Sequence, residues 1–129
     1  MIKTKDLKQI IKFNATPNQI YDTLMNSKKH SEFTNSNAKM NNKVNGKFTA
    51  YDNYIKGFNI ELIKDKKIVQ LWRCNDWPLN HYSEVTFSFK SIKGGTKLTF
   101  TQINIPIKQY RGIKQGWIDY YWRPLKELF

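Results

Sequence analysis

The chain has 129 residues, a formal net charge of +12, an isoelectric point near 9.8 and 15% aromatic residues. That is one domain's worth, able to bury roughly two thirds of its unfolded surface without disulfide or metal staples. A single cysteine, Cys74, excludes an intrachain disulfide and fits a reducing, cytoplasmic setting, and the sequence shows no signal peptide and no apolar run of the roughly 18 residues a membrane helix needs.

In chain order, Leu7, Ile11 and Phe13 punctuate KDLKQIIKFNA and predict a first strand with a lysine-rich outer face. Thr16-Pro17-Asn18-Gln19 reads as a helix start. Thr16 caps, Pro17 suits the first helical position, and Gln19 closes a capping box. Ile20, Tyr21, Leu24 and Met25 supply the apolar face of a short helix over 17–26, and a second short helix over 27–33 is anchored by Phe33. The polar TNSNAKMNNKV reads as a loop leading into an edge strand, and Asn45-Gly46 as a two-residue hairpin turn. Strands follow at 47–51, 54–64, 68–73, 82–90 and 97–103. In the second of these Phe58, Ile60 and Leu62 alternate with Asn59 and Glu61, and Gly57 marks a bulge or a close backbone approach. Val85, Phe87 and Phe89, then Leu98 and Phe100, show the same alternation.

The closing stretch, YRGIKQGWIDYYWRPLKELF, places Ile113, Trp117, Tyr121 (or Tyr120), Leu125 and Leu128 on one helical face. Pro124 removes a backbone donor and predicts a kink near 120–123. Every link between strands is short, so the sheet is antiparallel. The sum is one α+β domain over residues 1–129. A curved antiparallel sheet of six to seven strands wraps a long C-terminal helix, and two short helices follow the first strand.

Catalytic chemistry finds few candidates. His30 sits in a Lys-rich turn and is expected to be solvated, while Cys74, Asp76 and His81 share one loop without the spacing that defines a nucleophile and its base. Two histidines and one cysteine fall short of a metal site, and Gly94-Gly95 lies in a hairpin rather than at a phosphate-cradling helix start, so no metal or cofactor is expected. Two readings of the rings stay open. Phe58, Trp72, Phe87, Phe100, Trp117 and Tyr121 either line a hollow suited to a small apolar ligand or close the gap between helix and sheet. Trp77 and Trp122 are expected at the surface; with Arg111, Lys114 and Arg123 they are the candidate partner contacts. The charge points to an acidic partner surface. Nucleic acid ranks last, because lysine outnumbers arginine and the fold places most rings inside.

Several of these residues together resemble a known family. Ile68 to Arg73 (IVQLWR), Trp77-Pro78, Tyr82 to Phe89, Gln115-Gly116-Trp117, Tyr120-Tyr121 and Leu125-Lys126 follow the order and spacing of the Aha-type domain, the C-terminal domain of activators of the ninety-kilodalton heat-shock protein ATPase. Glu32-Phe33-Thr34 and Gly46-Lys47-Phe48 agree with it. The resemblance implies a helix-grip fold of the START-like (Bet v-like, SRPBCC) class. It further implies a non-catalytic co-chaperone that binds the chaperone dimer and modulates its ATPase cycle. Two-domain activators carry a further N-terminal domain; nothing in Met1 to Lys12 resembles it, and the expectation is binding with weaker stimulation if this domain acts alone.

Overall fold

Alternating apolar residues and lysines build the first element of the computed structural model, which describes residues 2–129 and leaves Met1 outside the described residues. This is β1 (Thr4–Phe13), followed by α1 (Pro17–Met25) and α2 (Ser27–Thr34). Then come β2 (Lys47–Ala50), β3 (Ile55–Ile63), β4 (Lys67–Cys74), β5 (Ser83–Ile92) and β6 (Gly95–Pro106). The capping box forms as expected: Gln19 N–H donates to Thr16 Oγ1 at 3.2 Å, and Thr16 N–H donates to Gln19 Oε1 at 2.8 Å. The six strands form one antiparallel sheet in the order β1-β6-β5-β4-β3-β2. Leu7, Ile11, Phe13, Leu98, Phe100, Val85, Phe87, Ile68 and Trp72 line its buried concave face.

Two expectations about the β2 side are corrected. Among the described residues no strand lies between α2 and Asn45; a single bridge, Lys39 to Thr49, stands where one was expected. Asn45 does adopt a left-handed φ of 67°, but inside a Lys43–Gly46 turn rather than a hairpin. The Asn59 side chain donates to the carbonyls of Asn41 and Lys43, so this loop's polar backbone is satisfied without a ladder. The facing of β3 is also reversed before its bulge, whereas Leu62 beyond it packs against the core as expected. Ile55, Gly57 and Asn59 point inward, while Phe58 and Ile60 face out. Gly57 explains why: a Cβ there would sit 1.8 Å from the Leu71 carbonyl oxygen, a close approach only glycine allows. Buried Asn59 is tolerated because Gln70 Nε2 donates to its Oδ1 at 3.0 Å. A bulge between Asn59 and Glu61 then ends the alternation.

The C-terminal helix starts from a 3₁₀ turn (Ile107–Gln109) and runs as α3 (Tyr110–Trp117), a π-helical segment (Ile118–Trp122) and α4 (Arg123–Leu128). Where the sequence predicts a kink, the helix runs as this π segment. Its i→i+5 bonding, Arg123 N–H to Ile118 O, puts residues five apart on one face. Trp117 and Trp122 therefore both turn inward and stack at 5.5 Å and 21°. Tyr121 and Leu125 are buried beside them, whereas Leu128, expected on the apolar stripe, is 53% exposed. Pro124 has no N–H for the Tyr120 carbonyl, and that carbonyl instead accepts from the Tyr51 hydroxyl at 2.8 Å.

A buried polar chain fixes the helix to the sheet. Trp117 Nε1–H donates to Gln102 Oε1 at 2.7 Å, Gln102 Nε2 donates to Ser83 Oγ at 2.9 Å, and Ser83 donates to the Trp72 carbonyl at 2.8 Å. Gln102→Leu strands the Trp117 donor in an apolar core, so unfolding free energy falls by about 1–3 kcal/mol. Urea denaturation checks this as a lower midpoint at unchanged slope; a loss under about 0.5 kcal/mol contradicts the role assigned to the chain.

Candidate functional site

The helix and the sheet part company at one end. Along α3, Gly112 and Gly116 lie four residues apart and face the sheet without side chains: a Cβ on Gly112 meets nothing within 4 Å, and one on Gly116 touches only Tyr120 at 3.8 Å. Opposite them stand Ile55 of β3 and Trp72 and Cys74 of β4. Between the two walls is a cleft of about 480 Å³. The Tyr51-Asp52-Asn53 turn, all three residues at positive φ, brings Tyr51 and Tyr54 to the rim, where Tyr51 meets exposed Tyr120 at 5.7 Å.

Deeper under the helix the rings close the gap. Phe100 packs on Trp117 at 4.4 Å and Phe87 on Phe100 at 5.2 Å, and the hollow remaining there is only about 10 Å³. Of the six rings expected at a cavity, Trp72, Trp117 and Tyr121 line the cleft and Phe87 and Phe100 pack behind it. Phe58 is corrected: it lies on the outward face, against Tyr82 at 6.1 Å, because of the β3 reversal.

The cleft's polar groups are few and held protonated. Burial pushes the Cys74 thiol up to about 12, with the Tyr54 hydroxyl pulling the other way. Burial likewise raises the Tyr54 hydroxyl, which also donates to Asp76 Oδ1 at 2.9 Å. Burial raises Tyr51 and, well above its usual value, Tyr121. Cys74, Asp76 and His81 do not converge: Asp76 is held by Tyr54, and His81 Nε2 lies 2.8 Å from the Asn104 carbonyl. Among the described residues no cluster of His, Cys, Asp and Glu could hold a metal. This arrangement can enclose an apolar group; it presents no activated nucleophile.

The surface candidates divide. Arg111, Lys114 and Arg123 are exposed, Arg123 pairing with Asp119 at 3.2 Å. Trp77 and Trp122 are corrected: each is only 4% exposed. The Trp77 carbonyl accepts from Arg73 Nη2 at 3.0 Å, folding its loop back so that the ring meets Trp72 at 5.5 Å. Trp122 is turned in by the π segment and donates to Gln9 Oε1 at 2.7 Å. His30 is corrected too. It is buried, with Nδ1 donating to the Leu24 carbonyl at 2.9 Å, which leaves Nε2 to accept from Tyr121 Oη at 3.0 Å. The part that Gly112 and Gly116 play in opening the cleft is not among the sequence expectations, although its signal, Gly-x-x-x-Gly inside an amphipathic helix, is written in GIKQG.

Residues 14–129 match the family described as Activator of Hsp90 ATPase homolog 1-like protein. The chain is 36% identical over 116 residues to a Dictyostelium discoideum protein named activator of 90 kDa heat shock protein ATPase homolog, covering 88% of this chain and 30% of that one. It is 29% identical over 117 residues to the human homolog 1 of that name, covering 91% and 35%. The crystal structure of an HSP90 activator from Plasmodium falciparum superposes with a TM-score of 0.90 at 27% identity, covering 95% of this chain and 94% of that one. The chain thus spans 30% to 38% of the length of the first curated relatives it matches.

The buried imidazole makes stability depend on pH. Desolvation holds His30 below its usual value, so the folded state binds its proton later than the unfolded chain does. Its contribution is complete above the unfolded value of about 6.5 and is lost as pH falls through the folded value, at up to about 1.4 kcal/mol per pH unit. Urea denaturation at neutral and mildly acidic pH measures it. His30→Gln flattens the profile relative to wild type; an unchanged profile assigns the pH dependence to other groups.

Proposed function

Because the chain belongs to the family of Activator of Hsp90 ATPase homolog 1-like proteins, we propose that it binds the 90 kDa heat-shock protein chaperone and modulates its ATPase cycle. The match of fold and sequence to the Plasmodium falciparum HSP90 activator over 95% of this chain carries the reading. The chain supplies no catalytic group to the hydrolysis. It acts by binding one conformation of the chaperone dimer more tightly than the others, which shifts the population toward that state. A charge of +12 favours approach to an acidic protein surface and raises the association rate. Exposed Arg111, Lys114 and Arg123 on the helix are contacts of this kind. On this reading the setting is that of a cytoplasmic co-chaperone. No helix among the described residues is long and apolar enough to cross a membrane.

A second reading comes from the cleft. A hollow of about 480 Å³ walled by Trp72, Ile55, Ile113 and Trp117 suits a small apolar ligand held between helix and sheet. The same glycines that open it allow it to be closed without a clash at Cβ.

Two measurements separate the readings. Steady-state ATPase rates of the chaperone, with and without this domain, rise on the co-chaperone reading; an unchanged rate together with no calorimetric binding at low salt removes it. The double variant Gly112→Leu/Gly116→Leu fills the cleft and gains helix propensity of about 0.5–1 kcal/mol per site. On the ligand reading it abolishes the fluorescence enhancement of an apolar dye shown by the wild type. Equal enhancement by both proteins rules out the cleft as the dye's site.

A further inference from the structure

Three lysines stand side by side on the convex face of the sheet. Lys12 of β1 pairs in register with Lys97 of β6, and Lys97 pairs with Lys90 of β5. At a strand spacing of about 4.8 Å the row is about 10 Å long. Like charges directly opposite on neighbouring strands repel, so the row opposes folding rather than assisting it. Lys12 and Lys90 are exposed and Lys97 is half-buried between them.

Among the described residues no carboxylate forms an ion pair with the row. The ion pairs among the described residues are Lys29 with Asp22, Lys67 with Glu61 and Arg123 with Asp119. Asp65, in the turn between β3 and β4, is drawn toward α1, where its Oδ1 accepts from Asn18 Nδ2 at 3.1 Å. That turn lies against the end of β5, Phe89 N–H donating to the Lys66 carbonyl at 2.9 Å, so exposed Lys64 and Lys66 extend the positive end. Exposed Lys93 extends it from the turn between β5 and β6.

We infer that this lysine row is a docking face for an acidic polypeptide segment. The next row of the sheet places Ile10, Thr99 and Ser88 alongside it, an apolar group and two hydroxyls, which suits a peptide. Carboxylates at i and i+4 on a helix lie about 5–6 Å apart, close to the lysine spacing. Nucleic acid is disfavoured by the row's own chemistry: it holds no arginine fork for phosphate and no ring to stack a base. The identity of the partner as the chaperone rests on the co-chaperone reading; the acidic chemistry does not.

The test compares the wild type with Lys12→Glu/Lys90→Glu/Lys97→Glu and with a control of equal charge, Lys28→Glu/Lys43→Glu/Lys126→Glu. The row variant keeps three like charges, so its fold is not newly strained, and Lys→Gln at the same three positions provides a neutral check by circular dichroism and binding. The probes are a labelled glutamate-rich peptide with i, i+4 carboxylates, the chaperone dimer and a labelled oligonucleotide. Expected is a loss of at least about tenfold in affinity for peptide and chaperone in the row variant, against less than about threefold in the control. Equal losses in both variants, or in neither, overturn the inference, as does wild type that binds no peptide. Tighter binding of the oligonucleotide than of the peptide through the row overturns the choice of polypeptide. Wild type that binds the peptide through the row but not the chaperone upholds the row and removes the co-chaperone reading. A chaperone complex indifferent to the row, with the peptide also indifferent to it, removes the row and leaves the co-chaperone reading standing.

Discussion

Trp117 is the pivot of the molecule. Its indole packs against Trp72, Phe87, Phe100, Tyr121 and Trp122, and its one donor meets a glutamine that projects inward from β6. A tryptophan buried so deeply needs a partner for its N–H, and in an apolar interior that need sets position as well as energy. Gln102 and Ser83 are both fully buried and pass the bond on to the backbone of β4. The helix is thereby tied to three neighbouring strands at a point, not merely pressed against an apolar surface.

The division of the helix follows from that point. Beyond Trp117 the π segment turns Tyr121 and Trp122 into the core together, and Leu125 completes the packing. Before Trp117 the glycines offer nothing to the sheet, and the cleft stays open. The Tyr51 hydroxyl closes the junction by taking the carbonyl that Pro124 leaves free. His30 supports the same junction from α2 through Tyr121. Packing, strain relief and hollow are three consequences of one anchored helix. The outer face is independent of them: β1, β6 and β5 place lysines in register there while their inward residues build the core.

What was legible in the sequence was whatever depends on local periodicity. The capping box at Thr16, the alternation of β5 and β6, and the concave sheet receiving an aromatic helix all follow from spacing. The misreadings share a cause: a tertiary contact overrode the local pattern. Phe58 and Asn59 exchanged faces because Leu71 leaves room for no side chain at Gly57. Asn45-Gly46 carries a hairpin signal, yet the Asn59 amide had already satisfied the loop. Trp122 looked exposed at α-helical spacing and is buried at π-helical spacing, a change set by Pro124 and Tyr51 from different parts of the chain. His30 looked solvated among lysines because its partners, Leu24 and Tyr121, lie off its own helix.

The C-terminal helix is an integral part of the core, held through the Trp117 indole. Native-state hydrogen exchange of the tryptophan indole protons tests it most directly. If the claim holds, the Trp117 and Trp122 Nε1 protons exchange only through global unfolding, with protection equal to the full unfolding free energy. Exchange of either proton through a cheaper local opening, while the amides of β5 and β6 stay protected, would show that the helix lifts from the sheet and would contradict the account.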